Sequence, residues 1–138
     1  MSTRANIIIQ DSYEKLYFYR HSDGYPEGTI ETLKEFVQLI KDGKIRDNAS
    51  QSAGWLILIG AKEYNKSLDN VGVDSFDGWK VGAYEPASGI SSDIEYLYVI
   101  DLDQRELRAY EVEYIHDGYP EANEEETLQK ELLYIYKF

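Results

Sequence analysis

Two neighbouring runs in the C-terminal half constrain the fold more than any other feature. In residues 95–102, Tyr96, Tyr98 and Ile100 alternate with Leu97 and Val99, so neither side of an extended strand is polar. In residues 106–114, Tyr110, Val112 and Tyr114 alternate with Glu111 and Glu113, which leaves one side wet. Asp103-Gln104 between them reads as a hairpin turn. A strand that is apolar on both sides belongs inside a sheet covered on both faces. Two helices cover one face. Cover for the other must come from the C-terminal segment or a second subunit, which predicts a homodimer built on tyrosine-rich sheet surface.

The rest of the chain supplies the other elements. Residues 5–10, a turn at Asp11-Ser12 and residues 15–20 read as a β-hairpin rich in β-branched and aromatic side chains. Asp23-Gly24 and Pro26 break that strand. Ile30, Leu33, Val37 and Ile40 then form one apolar helical stripe, with Thr29 as cap and Gly43 as stop. Residues 48–65 carry a continuous apolar run, Trp55-Leu56-Ile57-Leu58-Ile59, that fits a buried strand as well as a helix. Asn48 and Gln51 resemble a capping box, and the length favours a helix. Residues 66–78 read as a loop, and residues 79–84 as a strand ended by Pro86. The expectation is an α+β fold: a mainly antiparallel sheet of about five strands with two or three helices packed on it, in one domain spanning residues 1–138.

Composition narrows the function classes. The chain holds no cysteine, which excludes disulfides, zinc–thiolate sites and thiol nucleophiles. Against 26 acids stand only 14 bases, for a net charge of −12, so direct binding to a nucleic-acid backbone is not expected. Neither Ile7-Ile8-Ile9 nor the apolar stretch from Ala53 to Ala61 has the length of a signal peptide or a membrane span. A soluble cytoplasmic protein without a membrane partner is the expectation. Acids concentrate in residues 117–131, which read as a solvated helix face or as a surface that docks on a basic partner. No phosphate-binding loop, dinucleotide fingerprint, nucleophile elbow or His-Glu-x-x-His motif occurs. Asp42-Gly43-Lys44 resembles the tail of a nuclease motif, but a helix stop explains it better. Trp55 and Trp79 read as core residues, with stacking on a ligand base as the alternative. No cofactor or metal is expected.

One short phrase occurs twice. His21-Ser22-Asp23-Gly24-Tyr25-Pro26-Glu27 is followed by Glu31-Thr32-Leu33, and His116-Asp117-Gly118-Tyr119-Pro120-Glu121 by Glu126-Thr127-Leu128. The copies contain both histidines of the chain. Residues 13–35 and 110–131 thus read as a weak internal repeat, and both duplication and reuse of good turn chemistry account for it. A histidine beside a carboxylate at a strand end suits a base, a metal ligand or a donor to an anion. Arg20 adds a planar fork for phosphate or carboxylate. Equally, Asp-Gly makes a turn, proline fixes it, tyrosine packs, and each arginine pairs with Asp23 or Glu27.

Met1-Ser2-Thr3-Arg4-Ala5, with Tyr19-Arg20-His21-Ser22-Asp23-Gly24-Tyr25-Pro26 further on, resembles a family of small bacterial and phage proteins. These share a Ser/Gly-Thr-Arg start and a Tyr-x-His-x-Asp-Gly-Tyr-Pro phrase and have no assigned activity. The likeness covers the first quarter of the chain, and Gly54-Trp55-Leu56 and Trp79-Lys80-Val81-Gly82 are the segments that would extend it. It implies a phage or mobile-element context and one shared site of Thr3, Arg4, Arg20, His21 and Asp23, to which Tyr25 is added as a ligand-binding residue. The leading expectation is a non-catalytic protein that sequesters a small anionic or nucleotide-like ligand there. An acidic inhibitor of a basic protein partner is the alternative, and a hydrolase using His21 and Asp23 the second.

Overall fold

The computed structural model describes residues 3–64, 82–113 and 129–138. Its elements are β1 (Ala5–Gln10), β2 (Lys15–Arg20), α1 (Pro26–Lys41), α2 (Ala49–Tyr64), β3 (Glu85–Ala87), β4 (Tyr96–Asp101), β5 (Glu106–Val112) and β6 (Lys130–Lys137). The six strands form one sheet in the order β3-β2-β1-β4-β5-β6. The α+β class is as expected, but the sheet is mixed: β1 and β4 run parallel, and every other pair is antiparallel. Parallel neighbours need a long crossover, and here the chain between β2 and β4 carries both helices.

The central pair explains the doubly apolar sequence. Ile7 and Ile9 of β1 join Tyr98 and Ile100 of β4 in a core beneath the helices, where Leu33, Phe36, Val37, Ile40 and Leu56 meet them. On the opposite face Ile8, Leu97, Val99 and Val112 form a second buried cluster. Its cover comes from Ile90 and Ile94, in the segment between β3 and β4. The expectation of cover from a C-terminal segment or second subunit is corrected here, and the argument for a homodimer loses this premise. Asn6 is fully buried and pins that segment: its Oδ1 accepts the Ser91 amide at 2.7 Å while its Nδ2 donates to the Phe18 carbonyl at 2.9 Å. Both ends of the buried amide are thus satisfied, avoiding a cost of roughly 1–3 kcal/mol.

Helix α1 begins earlier than its apolar stripe suggests. Pro26 occupies the first turn and Tyr25 the cap position, so Thr29 lies inside the helix and its Oγ1 donates to the Asp23 carbonyl at 3.2 Å. Pro26 has no amide to leave unsatisfied there. Gly43 closes the helix at φ +77° and donates its amide to the Ile40 carbonyl, the left-handed stop that glycine adopts without strain. Helix α2 resolves the ambiguity over residues 48–65. Asn48 Oδ1 accepts the Gln51 amide, and Asp11 Oδ2, reaching over from the β1–β2 turn, accepts the Ala49 amide. Trp55 is 47% exposed on this helix, against the expectation that it is core.

Two further departures concern strands. Pro86 lies inside β3 rather than beyond a strand end, opposite Phe18; β3 is an edge strand, where a missing amide is tolerated. Strand β6 is not among the elements that the sequence pattern predicts. Its register with β5 steps from Ala109↔Tyr134 to Tyr110↔Leu132, a bulge that interrupts the alternation by which a strand is recognised. The second His-Asp-Gly-Tyr-Pro phrase, Trp79 and residues 66–78 lie outside the described residues. Among the described residues, no helix is long and apolar enough to cross a membrane.

Candidate functional site

Alternation along β2 sends Leu16, Phe18 and Arg20 towards the helices and Tyr17 and Tyr19 to the other face. Opposite these tyrosines runs Ser88-Gly89-Ile90-Ser91-Ser92-Asp93, held down by the Asn6 bridge and by burial of Ile90. Between them lies an open cleft of about 780 Å³, completed by Glu85, Pro86 and Ala87 of β3. Tyr17 and Tyr19 line one side, and residues 88–93, three of them serines, line the other.

A polar cluster closes one end. The Tyr19 hydroxyl donates to Asp93 Oδ2 at 2.9 Å, and Arg4 Nε lies 3.3 Å from the same oxygen. Arg4 and Asp93 are half-exposed, at 38% and 44%. Burial, then the hydrogen bond and charge of Asp93, push the Tyr19 hydroxyl up to about 12; Arg4 opposes this and Glu85 adds to it. The exposed His21 ring stands 6.2 Å, centroid to centroid, from that of Tyr19. The Lys15 ammonium lies 5.9 Å from the Tyr17 ring centroid.

The residues expected to share one site are divided by the sheet. Arg20 pairs directly with Ala5 in the β1–β2 register, so Arg4 and Arg20 occupy the same end of the sheet. Adjacent positions on a strand face opposite ways, and the arginines follow that rule. Arg20 is only 3% exposed, on the helix side. Its Nε donates to the Ser22 carbonyl at 2.8 Å, its two terminal nitrogens grip both carboxylate oxygens of Glu63, and its guanidinium lies 5.1 Å from the Tyr84 ring centroid. This bidentate pair fastens α2 to the end of β2. Each arginine does pair with a carboxylate, but the partners are Asp93 and Glu63 rather than Asp23 and Glu27.

The other expected residues build a turn. Asp23 adopts φ +59° and is exposed. Gly24 is buried and donates its amide to the Thr3 carbonyl at 2.9 Å. A Cβ at Gly24 would stand 2.9 Å from both that carbonyl oxygen and the Ala5 Cβ, so only glycine fits. The buried Tyr98 hydroxyl donates to the Gly24 carbonyl at 2.6 Å. Thr3, Asp23, Gly24 and Tyr25 therefore dock the turn on β1 and launch α1, while Arg4 and His21 stand beside the cleft, against Asp93 and Tyr19, without lining it. Among the described residues no hydrogen bond joins His21 to Asp23, and no group of three or more metal-ligating side chains converges.

Sequence reading missed Tyr17, Tyr19, Glu85, Asp93 and the serines as a group. The tyrosine alternation and the Ser/Gly content of residues 88–92 were both visible, but their meeting across the sheet edge was not. Comparison with protein-family models, curated proteins and solved structures found no match for this chain.

Proposed function

We propose that this chain is a non-catalytic binding protein that holds a small polar ligand in the cleft between β2 and residues 88–93. The observation that carries the reading is the aromatic wall of Tyr17 and Tyr19, set beside the Arg4–Asp93–Tyr19 cluster in a cleft of about 780 Å³. That volume suits a small ligand, and its mixed lining supplies contact area and orienting polar groups together. Tyrosine presents a flat apolar face and a hydroxyl from one rigid side chain. Among the described residues of the lining none is a histidine that could activate the hydroxyls of Ser88, Ser91 or Ser92, which supports reading the cleft as a binding site. The ion pairs of Arg4 and Arg20, on opposite faces, remove the reason to expect an anion gripped by two guanidiniums.

A thermal-shift screen of the full chain against small polar molecules of every charge class tests the reading. A ligand at a hundred times its dissociation constant stabilises the fold by roughly 2.7 kcal/mol, and a true ligand is recovered unchanged after denaturation. Tyr19→Phe retains the ring and removes the hydroxyl; it is expected to weaken binding while the protein still melts cooperatively. A hit whose affinity is untouched by both Tyr17→Ala and Tyr19→Phe would place binding elsewhere and sink the assignment.

A further inference from the structure

We propose that the cleft selects an organic ammonium ion, held against the Tyr17 and Tyr19 rings and neutralised by Glu85 and Asp93. This inference rests on the reading of the cleft as the binding site and adds the charge class of the ligand. Among the described residues that line the cleft, two are carboxylates, Glu85 and Asp93, and none is Lys, Arg or His. Two bases stand beside the lining: Arg4, already ion-paired to Asp93, and Lys15, whose ammonium lies against the Tyr17 ring; among the described residues Glu85 forms no ion pair.

Aromatic faces complement this charge. A tyrosine ring attracts a cation placed within about 6 Å of its centroid, most strongly where water is excluded. The protein already displays the contact, since the ammonium of Lys15 approaches the Tyr17 ring to 5.9 Å, and a ligand ammonium on that ring has to displace it. Burial is the largest cause of the raised Tyr19 hydroxyl; beyond it, Asp93 and Glu85 also disfavour a further negative charge there, and Arg4 only partly offsets them. At long range, a net charge of −12 concentrates cations around the molecule and repels anions. The hydroxyls of Ser88, Ser91 and Ser92 add acceptors around an ammonium-bearing ligand. A carboxylate or phosphate would have to approach two acids with no base among the described residues of the lining.

Three probes decide the matter in NMR titrations of the full chain at constant ionic strength: choline, its uncharged isostere with a quaternary carbon in place of nitrogen, and inorganic phosphate. The expected result is saturable movement of the Tyr17, Tyr19 and residue 88–93 resonances with choline. The isostere should bind roughly tenfold more weakly, the scale of one partly desolvated cation–π contact, and phosphate should leave the cleft unmoved. Glu85→Gln keeps the edge-strand backbone and is expected to weaken choline several-fold without changing the spectrum of the unliganded protein. Equal binding of choline and the isostere, or tighter binding of phosphate, overturns the charge assignment but leaves the cleft a binding site. A cleft silent to all three overturns the ammonium proposal, and the wider ligand screen then decides the binding reading separately.

Discussion

Arg4 and Arg20 stand at the same end of the sheet and share a charge, yet their surroundings differ in almost every respect. Arg20 lies under the helices at 3% exposure, with Glu63, the Ser22 carbonyl and the Tyr84 ring around its guanidinium. Arg4 lies on the other face, 38% exposed, with a single ion pair to Asp93 at 3.3 Å. The buried arginine is committed to the fold because a desolvated charge needs every partner it can reach. The half-exposed one holds its buried Nε beside Asp93, where a partly solvated ion pair contributes little to stability, and it tunes the charge of the open cleft instead. One residue of offset separates a fastening from a candidate binding contact.

The largest effect should come from breaking the fastening. Arg20→Ala leaves Glu63 without its bidentate partner and is expected to destabilise the protein by about 3–5 kcal/mol. Denaturant unfolding measures this; a loss below about 1 kcal/mol would show that Arg20 is no more structural than Arg4. Next in size is Gly24→Ala, which drives a methyl against the Thr3 carbonyl and the Ala5 Cβ. The expected cost is about 1–3 kcal/mol, read as a lower melting temperature, with ligand affinity kept. If binding falls while stability holds, the turn belongs to the site after all.

Arg4→Ala should change stability least, by about 0–1 kcal/mol, and the cleft most. Removing the one charge that lowers the Tyr19 hydroxyl leaves Asp93 and Glu85 unopposed, so Tyr19 should ionise at still higher pH. An ultraviolet titration of the tyrosines follows this, with Tyr19→Phe identifying the band. In the parent protein Tyr19 is raised from 10.0 to about 12, so its stabilising contribution is full below pH 10 and is lost as pH rises towards 12. Arg4→Ala should also tighten choline binding. Weaker binding would mean that Arg4 touches the ligand directly and that an anion is the better fit.

Much of the scaffold was legible in the residues because burial writes a period into them. The doubly apolar β4 announced a central strand, the half-wet β5 its neighbour, and Leu33, Val37 and Ile40 the buried side of α1. Asn48 and Gly43 marked a helix start and a helix stop through local chemistry that needs no distant partner. Strand β6 escaped because its bulge breaks the period, and β3 because Pro86 reads as a terminator unless the strand is known to lie at an edge. The candidate site was less legible still. Arg20, His21 and the turn residues were adjacent in the phrase that drew attention to them, but the phrase spans the end of a strand and a loop and is divided between the two faces of the sheet.

Alternation and turn chemistry thus determined by themselves β1, β2, β4, β5 and the buried side of α1, and where the chain reverses between the paired strands. Only the tertiary structure decided that Ile90 and Ile94 cover the second face, that Glu63 claims Arg20, and that Asp93 meets Arg4 and Tyr19. The physical reason lies in range. A period or a cap is set by neighbours a few residues apart, whereas Tyr19 and Asp93 are separated by 74 positions and meet only after the crossover has brought β4 alongside β1. Charge and ring faces then acquire meaning from what stands opposite them, and that is fixed by packing.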